Sequence, residues 1–494
     1  MNAGITLSQL IFPWVKLSNI AIGNLPVHRI ELDSRKVMQG DTFIALIGHC
    51  IDARKFIPNA IYAGATIVLA QSNFMMHGKI NYFSGIPIIY IKRLNICLSE
   101  LAGRLYHNKS NILIGITGTN GKTTISQLIA QWLGLLGKRA AVMGTIGNGF
   151  LNDLKEVNNT TSNAIDIQRT LSTLEKHGTE YTALELSSHG LVQGRVRSLK
   201  FAIGIFSNLS HDHLDYHSSM QEYKEAKFSL FVEHDCQLAV INADDKSGAD
   251  WLIKLPNALA VSLSSKSILT PNSIFAKLIQ YFEDGIKVSF SGKYGNGELL
   301  VPLIGRFNAE NILLAFSSLL MLGFDKQKLL ESAPKLLPII GRMELFKAKG
   351  NPKIIVDYAH TPDGLKQALL ALRVHYSGKL WLIFGCSGER DKSKRSMMAK
   401  VAEKYADKII LTDDNPRSES PDSIITDILK GLEYPLAVHI EHNRYKAISF
   451  ALNFASKEDI IFLAGKGHET HQVFKNSKIY YSDRESARKL LGIK

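Results

Sequence analysis

The sequence predicts an α/β protein of about three domains. Its 494 residues suffice for three domains at roughly 100–200 residues each. A short apolar run followed by a glycine-rich turn and a helical pattern near residue 115 is typical of the first βα unit of a parallel sheet. In the last third, four apolar runs each end in polar or glycine-rich residues, which predicts a second α/β domain.

The first hundred or so residues contain short apolar runs broken by turn residues, such as the run from Asp41 to Gly48. This pattern predicts a small α/β domain of its own. A break is also expected near Pro338 to Gly341. We therefore predict domains at residues 1–108, 109–338 and 339–494.

The central domain is predicted to begin with a strand over Ile112–Ile116 and a helix over about Lys122–Leu136. Further strands are predicted over Thr182–Glu185 and Ile203–Phe206. A strand, a phosphate-type turn and a helix in this order indicate a mainly parallel sheet.

The strands predicted in the last third share one arrangement, in which a buried apolar run is followed at once by polar residues or glycine. They are Lys353–Val356, Leu380–Phe384, Lys408–Leu411 and Asp459–Leu463. Ligands of open α/β sheets bind beyond the carboxyl ends of the strands. Four such strand ends predict one ligand site.

Composition narrows the class of protein. The net charge of +13 comes from scattered residues without a block of five, so small anionic ligands are favoured over nucleic acid. The four cysteines (Cys50, Cys97, Cys236 and Cys386) are far apart and form no framework of disulfides. No signal peptide or membrane helix is expected, so we predict a cytoplasmic protein without membrane or nucleic-acid partners.

The strongest local signal is a phosphate-binding loop. It comprises Gly118, Thr119, Asn120, Gly121, Lys122, Thr123 and Thr124. Backbone N–H groups of such a loop cradle phosphate, the lysine contacts the terminal phosphates and Thr123 can reach Mg²⁺. The usual pattern has glycine where Ile116 stands, so the loop is a variant. The alternative is an ordinary glycine-rich turn.

A second group of residues carries acids and imidazoles. Glu185 ends one predicted strand, and the segment from Asn208 to His217 follows the next. They are plausible Mg²⁺ ligands, although histidine-rich turns are often merely solvated, and no paired spacing supports zinc. Lys227 lies in a helical stretch with a mixed charged face, which favours a surface lysine.

A series of motifs runs in order along nearly the whole chain. Besides the phosphate loop, it comprises 159–161, 185–195, 208–217, 305–311, 341–344, 357–362, 414–417 and 465–469. These motifs resemble those of the Mur ligase family, most closely the members that add diaminopimelate. The resemblance implies an N-terminal UDP-binding domain, a central ATPase domain and a C-terminal Rossmann-like domain that binds the incoming amino acid.

The resemblance also implies roles for individual residues. The UDP moiety is expected at Leu32, Ser34, His49, Cys50 and Ile51. The muramoyl-dipeptide is expected at Asn159, Thr160, Thr161, Ser187, Gln193 and Arg195. Further nucleotide contacts are expected at Asn308, Arg342, Asp357 and His360.

Lys227 falls where the family has a lysine carbamylated by CO₂, which reverses the interpretation as a surface lysine. An ammonium repels Mg²⁺, whereas a carbamate offers it anionic oxygens. Glu185, His213 and Thr123 match the other expected metal-side residues, and Lys122, Lys227, Glu185 and His213 are the expected catalytic residues.

The implied reaction is ATP-dependent addition of meso-diaminopimelate to UDP-N-acetylmuramoyl-L-alanyl-D-glutamate through an acyl phosphate, by a monomer. The amino acid is expected at Arg390, Asp414, Asn415, Pro416, Arg417, Gly465 and Glu469. Arg417 suits bidentate binding of a carboxylate that diaminopimelate has and lysine lacks. The alternative for 414–417 is a simple proline turn.

Four rival functions remain open at this stage: a folylpolyglutamate synthase, a lysine-adding ligase, a nucleic-acid motor and a non-catalytic UDP-sugar-binding module. The segment 414–417 and the N-terminal residues expected to bind UDP both argue against the two rival ligases. A nucleic-acid motor would need a basic patch, whereas the positive residues of this sequence are scattered. A non-catalytic binding module would not explain Lys122 and Thr123 of the phosphate loop. Two departures from the family pattern, Ala53 for glycine and Glu389 for aspartate, remove no chemical group that the reaction needs.

Overall fold

The computed structural model describes residues 5–48, 51–106, 111–157, 159–213, 216–265 and 270–493. The chain forms two compact units. The first unit comprises Met1–Gly115, Arg139–Ala202 and Glu225–Gln237, and the second comprises Ile116–Lys138, Ile203–Lys224 and Leu238–Lys494. The predicted boundaries after residues 108 and 338 stay predictions.

The first unit contains a five-stranded sheet with an apolar core on each face. Its strands, in pairing order, are Ile30–Glu31, Thr42–Ala45, Ile67–Ser72, Ile86–Lys92 and Ile80–Phe83, of which only the last pairs antiparallel. Ile44 packs in the core beside the helix Leu94–Tyr106, whereas Phe43 packs in the core beside the helix Ile57–Tyr62. Burial on both faces explains why the strand Ile67–Ser72 opens with four consecutive apolar residues.

Four further strands of the first unit pair in the order Asp153–Lys155, Gly147–Phe150, Ala140–Gly144 and Tyr181–Leu186. Only the last two of them run parallel. The other elements with residues in this unit are Ile5–Thr6, Leu7–Ile11, Ile20–Gly23, Pro26–Val27, Ser34–Lys36, Ala53–Phe56, Phe74–Met76, Ala164–Lys176 and Ser188–Val192. The strand Ile112–Thr117 and the helix Met220–Glu233 each have residues of both units.

Among the described residues, the second unit contains two larger groups of paired strands and the antiparallel pair His471–Phe474 and Ser477–Tyr480. The first group, in pairing order, is Ile203–Phe206, Leu238–Asn242, Leu259–Ser262, Ser273–Phe282, Gly285–Gly292 and Gly297–Val301. Its first four strands run parallel and its last two are antiparallel to their neighbours. The accompanying helices are Lys122–Leu135, Lys246–Lys254, Arg306–Met321, Lys326–Ser332 and Ala333–Lys335.

The C-terminal sheet has six strands in the order Glu344–Phe346, Lys353–Asp357, Ile460–Ala464, Leu380–Phe384, Lys408–Leu411 and His439–Ile440. All neighbours run parallel except the first pair. The remaining elements are Pro362–His375, Ser393–Tyr405, Pro421–Leu429, Pro435–Ala437, Arg444–Phe454, His471–Phe474, Ser477–Tyr480 and Asp483–Leu491. Parallel strands place their carboxyl ends at one edge, where the predicted ligand residues follow.

Predicted strands agree closely with the structure. Leu380–Phe384 and Lys408–Leu411 match to the residue. The strand predicted to begin at Asp459 begins one residue later, at Ile460. The Asp459 carboxylate accepts hydrogen bonds from the Lys379 N–H and the Trp381 indole, so this residue closes a turn instead of extending the strand.

No helix among the described residues is long and apolar enough to cross a membrane. Within the described ranges, Cys97 is buried, and Cys236 and Cys386 are partly buried.

One fully buried ion pair leads to a stability prediction. Arg444 donates to both carboxylate oxygens of Asp483 at 2.7 and 2.8 Å and to the Ala464 carbonyl at 2.7 Å, and neither side chain of the ion pair is exposed. Asp483→Asn would leave a buried guanidinium without its countercharge, so we expect a loss of about 3–5 kcal/mol of folding free energy. Urea unfolding measures this loss.

The matched control is Asp235→Asn, which breaks the exposed pair between Lys200 and Asp235. Solvent screens that pair, so unfolding should change little. Equal unfolding midpoints for Asp483→Asn and Asp235→Asn would contradict the predicted importance of the buried pair.

Candidate active site

The phosphate loop is built as the sequence predicts, between the strand Ile112–Thr117 and the helix Lys122–Leu135. The backbone φ is +149° at Gly118 and +88° at Gly121, and a Cβ at Gly121 would lie 2.5 Å from the Asn311 amide oxygen. Glycine is therefore required at both positions. The loop presents the N-terminus of a 14-residue helix, which attracts anions.

Asn208 and Lys122 hold this loop in place. The N–H of Thr119 donates to the Asn208 carbonyl at 2.8 Å, and the N–H of Asn120 donates to the Asn208 side chain at 2.9 Å. The Lys122 ammonium donates to the Gly118 carbonyl at 2.7 Å and the Thr119 carbonyl at 2.8 Å. The predicted phosphate-contacting lysine thus lies over the loop.

The four other predicted nucleotide residues differ in placement. An Arg342 guanidinium nitrogen lies 3.4 Å from the Thr123 hydroxyl, and its Cζ lies 4.5 Å from the Tyr358 ring centroid. Asn308 is buried, where its amide donates to the Ile304 carbonyl. Arg342 therefore lies beside the phosphate loop.

Asp357 and His360 both make hydrogen bonds to backbone groups. The Asp357 carboxylate accepts from the N–H groups of Met343 and Ala359, both at 2.8 Å. Burial raises the pKa of Asp357, although Arg342 acts in the opposite direction. The His360 ring contacts the Tyr358 carbonyl at 2.7 Å. Asp357 thereby fixes the turn that carries Arg342.

Glu185 lies near the end of its strand in the first unit and is buried. Thr145 donates to it twice, from its N–H at 3.1 Å and from its hydroxyl at 2.9 Å. Thr145 also contacts the Thr160 hydroxyl at 3.0 Å, and Thr161 donates to the Glu185 carbonyl at 2.8 Å.

The predicted muramoyl-dipeptide residues continue from this cluster. The N–H of Ser187 donates to the Thr161 hydroxyl at 2.9 Å, and Arg195 donates both to the Thr161 carbonyl and to the Gln193 side chain. Asn159 is exposed. The structure therefore places five of the six predicted residues in one polar network around Glu185.

Lys227 corrects the interpretation made from its local sequence. It is 1% exposed, so it is not a surface lysine. In the helix Met220–Glu233, the buried positions recur at helical spacing, as Tyr223, Ala226, Lys227, Leu230 and Phe231. Burial of an ammonium is costly unless its charge is compensated or chemically changed. The buried residues of this helix recur at intervals of three and four residues. This spacing was a sequence signal that Lys227 is buried, but the charged residues around it made the signal hard to recognise.

His213 lies in the second unit, in a left-handed backbone conformation with φ +55°. Its ring nitrogen lies 3.5 Å from the Asp212 carboxylate, which pairs with Lys394 at 2.9 Å. Burial alone would raise the pKa of Asp212, but His213 and Lys394 outweigh burial and hold it at about 2. Lys394 had no role in the sequence analysis.

Leu214 and Asp215, next to His213 along the chain, lie outside the described ranges. Within those ranges, no three His, Cys, Asp or Glu side chains gather closely enough to hold a metal ion. The expected set contains hydroxyl and carboxylate oxygens, which suit Mg²⁺. The ammonium form of Lys227 offers no ligand oxygen, whereas a carbamate there would offer two anionic oxygens.

The predicted UDP residues lie partly outside the described ranges. His49 and Cys50 fall there, whereas Ile51 is described and 63% exposed. The Leu32 N–H donates to the Glu31 carboxylate at 2.9 Å, and Ser34 begins a short helical turn capped by Asp33. The loop from Leu32 to Ser34 is thus anchored by neighbouring acids.

Three strand ends of the C-terminal sheet meet through hydrogen bonds. Ser387 donates to Asp414 at 2.6 Å, the Gly388 N–H donates to the Asn415 carbonyl at 3.0 Å, and the Asn415 amide donates to Glu469 at 3.1 Å. The structure therefore brings Asp414, Asn415 and Glu469 together, as the sequence predicts.

The two predicted arginines flank these strand ends. Arg417 has φ +57°, and its N–H donates to the Val473 carbonyl at 2.9 Å, while Arg390 is exposed. Pro416, which precedes Arg417, is buried. At the next strand end, Gly465 has φ +110°, and its N–H donates to the Asp357 carbonyl at 3.1 Å.

Sequence reasoning missed two buried cations beside these loops. Arg395 is 1% exposed and donates to Glu419 and Asp427 at 2.9–3.0 Å, while the Glu419 carboxylate accepts from the Glu389 N–H at 2.6 Å. Lys466 is fully buried inside the motif 465–469. For Lys466, the sequence did offer a signal, because it is a cation inside a motif that also contains glycine and an acid. For Arg395 it offered none, because the burial of Arg395 depends on tertiary packing.

Three family models match the chain in succession. They are the Mur ligase family catalytic domain over residues 26–106, the Mur ligase middle domain over 116–319 and the Mur ligase glutamate ligase domain over 341–467. The three-domain α/β prediction is confirmed.

Curated relatives match over the full length of both chains. The chain is 56% identical over 494 residues to UDP-N-acetylmuramoyl-L-alanyl-D-glutamate--2,6-diaminopimelate ligase of Vibrio cholerae and 54% identical to the protein of the same name from Vibrio parahaemolyticus. A solved structure of a ligase with that name covers 99% of both chains with a TM-score of 0.70 and 33% identity.

More distant structures share the fold. A MurF ligase from Thermotoga maritima in complex with ADP has a TM-score of 0.63 and 19% identity, covering 89% of this chain and 94% of its own. A folylpolyglutamate synthase from Mycobacterium tuberculosis complexed with ADP has a TM-score of 0.61 and 16% identity, covering 75% of this chain and 91% of its own. The 56% identity to the Vibrio cholerae ligase over the full length of both chains is far above these values. This identity shows that the chain belongs to the Mur ligase family.

Proposed function

We propose that this protein is an ATP-dependent ligase that adds meso-diaminopimelate to UDP-N-acetylmuramoyl-L-alanyl-D-glutamate in the synthesis of peptidoglycan precursors. The observation that carries the proposal is 56% identity over all 494 residues to the Vibrio cholerae protein whose name states this activity. The phosphate loop and the three meeting strand ends support it. We place the reaction in the cytoplasm and expect a monomer.

The reaction must activate a carboxylate, because a carboxylate is a poor acyl donor. In the proposed mechanism, an oxygen of the substrate D-glutamyl carboxylate attacks the γ-phosphorus of ATP, and the bond to the β-phosphate oxygen breaks. The products of this step are an acyl phosphate and ADP. Lys122 and the helix N-terminus stabilise the negative charge on the transferring group, which is mainly electrostatic work. Arg342, beside Thr123, is placed to add a second positive charge.

The amine of diaminopimelate then attacks the acyl carbon, and the tetrahedral intermediate expels phosphate as the amide forms. Glu469 is proposed to bind an ammonium of the amino acid, and Arg417 its distal carboxylate. The network of Thr160, Thr161, Ser187 and Arg195 is proposed to hold the muramoyl-dipeptide.

Mg²⁺ is proposed as the metal, held by Thr123, Glu185, His213 and a carbamate on Lys227. Bound there, it would neutralise charge on phosphate oxygens. Carbamylation joins the neutral lysine nitrogen to the carbon of CO₂ and releases one proton. The burial of Lys227 supports this change, since an anionic group suits a cation that an ammonium would repel.

An assay of ADP formation tests the function. Purified protein receives ATP, Mg²⁺ and UDP-N-acetylmuramoyl-L-alanyl-D-glutamate with either meso-diaminopimelate or L-lysine. We expect turnover with diaminopimelate and roughly 10–100-fold lower kcat/KM with lysine, because lysine leaves Arg417 unpaired. No ADP with either amino acid would refute the ligase, and equal use of both would refute the selectivity.

Lys227→Ala should lose most ligation, because the proposed metal site would lack its carbamate. Short-chain carboxylic acids such as acetate or propionate should partly restore turnover by replacing the carbamate. The measurement is ADP formation across a titration of the acid. Lys224→Ala, on the same helix but partly exposed, is the control that should need no rescue. Absence of rescue at every concentration would contradict the carbamate.

A further inference from the structure

Lys466 is a fully buried lysine between two loops of the proposed amino-acid site. Its ammonium lies 2.9 Å from the Glu469 carboxylate, 3.3 Å from the Asn415 side-chain oxygen and 3.6 Å from the Asp414 carboxylate. Its side chain is 0% exposed, whereas that of Glu469 is 30% exposed. The lysine therefore lies beneath the acid that reaches solvent.

The chemistry of the three neighbours matches that of an ammonium. Lysine has three N–H donors and no acceptor, and here it faces three acceptors. A buried ammonium is costly to desolvate, so lysine is almost never fully buried unless paired. Leucine or methionine would fill the same space without that cost, so packing alone does not account for a lysine at this position.

The acceptors on the inner side are themselves fixed. Ser387 donates to the second oxygen of Asp414 at 2.6 Å, and the Val473 N–H donates to the Asn415 oxygen at 3.0 Å. Asp414 and Asn415 are each 6% exposed. These two buried, hydrogen-bonded side chains fix the position of the Lys466 ammonium, and the ammonium in turn binds the more exposed Glu469.

We propose that Lys466 is a positioning residue that orients the Glu469 carboxylate toward the ammonium of the incoming amino acid. This inference deepens the proposed function and rests on it. One Glu469 oxygen accepts from both Lys466 and the Asn415 amide. In this proposal the other Glu469 oxygen is the one that accepts from the ammonium of the incoming amino acid. The charges of Asp414, Lys466 and Glu469 sum to −1, which suits a cationic ligand.

A double-mutant cycle tests this role in the full-length protein. Lys466→Met keeps the length of the side chain and removes the charge, Glu469→Gln removes the acid, and the third variant carries both changes. We expect Lys466→Met to raise the KM for diaminopimelate roughly tenfold or more while the KM for ATP stays unchanged. The double variant should be no worse than Glu469→Gln alone, because Lys466 acts through Glu469.

The control is Lys478→Met, on the exposed strand Ser477–Tyr480, which should leave both KM values unchanged. If Lys466→Met does not fold, Lys466→Gln replaces it in the cycle, since glutamine keeps an N–H donor without the charge. With an active wild type, three results would each overturn the positioning role. They are an unchanged KM for diaminopimelate in Lys466→Met, an equal rise in its KM for ATP, and a double variant whose KM rise is the product of the two single rises. A wild type without amino-acid-dependent turnover would instead overturn the proposed function, and the positioning role with it.

Discussion

Replacing Lys122 with alanine is expected to abolish ligation. The Lys122 ammonium lies over the phosphate loop, within 2.8 Å of two of its carbonyl oxygens, and ATP is proposed to bind there. Charge on the transferring phosphoryl group would lose its nearest cation in the loop. Removal of one such stabilising group typically costs about 10²–10³-fold in kcat. ADP formation with saturating substrates measures the loss.

Lys349→Ala is the control for Lys122→Ala, because Lys349 is exposed and lies in a turn far along the sequence from the loop. It should turn over like the wild type, and both variants should unfold at wild-type urea concentrations. Substantial turnover by Lys122→Ala would count against the phosphate-loop assignment.

Replacing Arg417 with alanine is expected to weaken use of diaminopimelate far more than binding of ATP. Arg417 has a left-handed backbone conformation, and its N–H donates to the Val473 carbonyl. It follows by two residues Asn415, whose amide donates to Glu469. Loss of one partner of a desolvated charge pair costs about 2–5 kcal/mol, or roughly 30-fold or more in kcat/KM. Steady-state kinetics with each substrate varied in turn separates the two effects.

Arg417→Lys is the graded comparison for this prediction. Lysine keeps the charge but not the planar fork that binds a carboxylate through two parallel hydrogen bonds, so its loss should fall between those of wild type and alanine. If ATP and diaminopimelate are affected equally, Arg417 is not part of a selective amino-acid pocket.

Much of the fold followed from local patterns. The strand Leu380–Phe384 and the helix beginning at Lys122 are defined by runs of apolar residues and by the glycines that flank them. Because an apolar run buried on both faces is read directly from neighbouring residues, its position needs no knowledge of the tertiary structure. The predicted strand start at Asp459 was wrong by one residue, because its partners Lys379 and Trp381 lie 80 and 78 positions away.

The candidate site was predicted less completely from residues alone. The mixed charged face suggested an exposed Lys227 and obscured the apolar spacing of the helix, whereas the family resemblance pointed to a different role. No role was predicted for Lys466, although it lies inside the motif 465–469. In both cases the deciding quantity is burial of a charged side chain, and burial depends on which distant segments pack over it.

The sequence by itself determined the α/β class, the phosphate loop and the order of the strand ends that carry polar residues, because these depend on residues adjacent along the chain. Only the tertiary structure decided that Lys466 lies beneath Glu469 and that Arg342 reaches Thr123, 219 residues away. Such contacts arise when separate strands and loops are brought together by packing, and no local pattern encodes them.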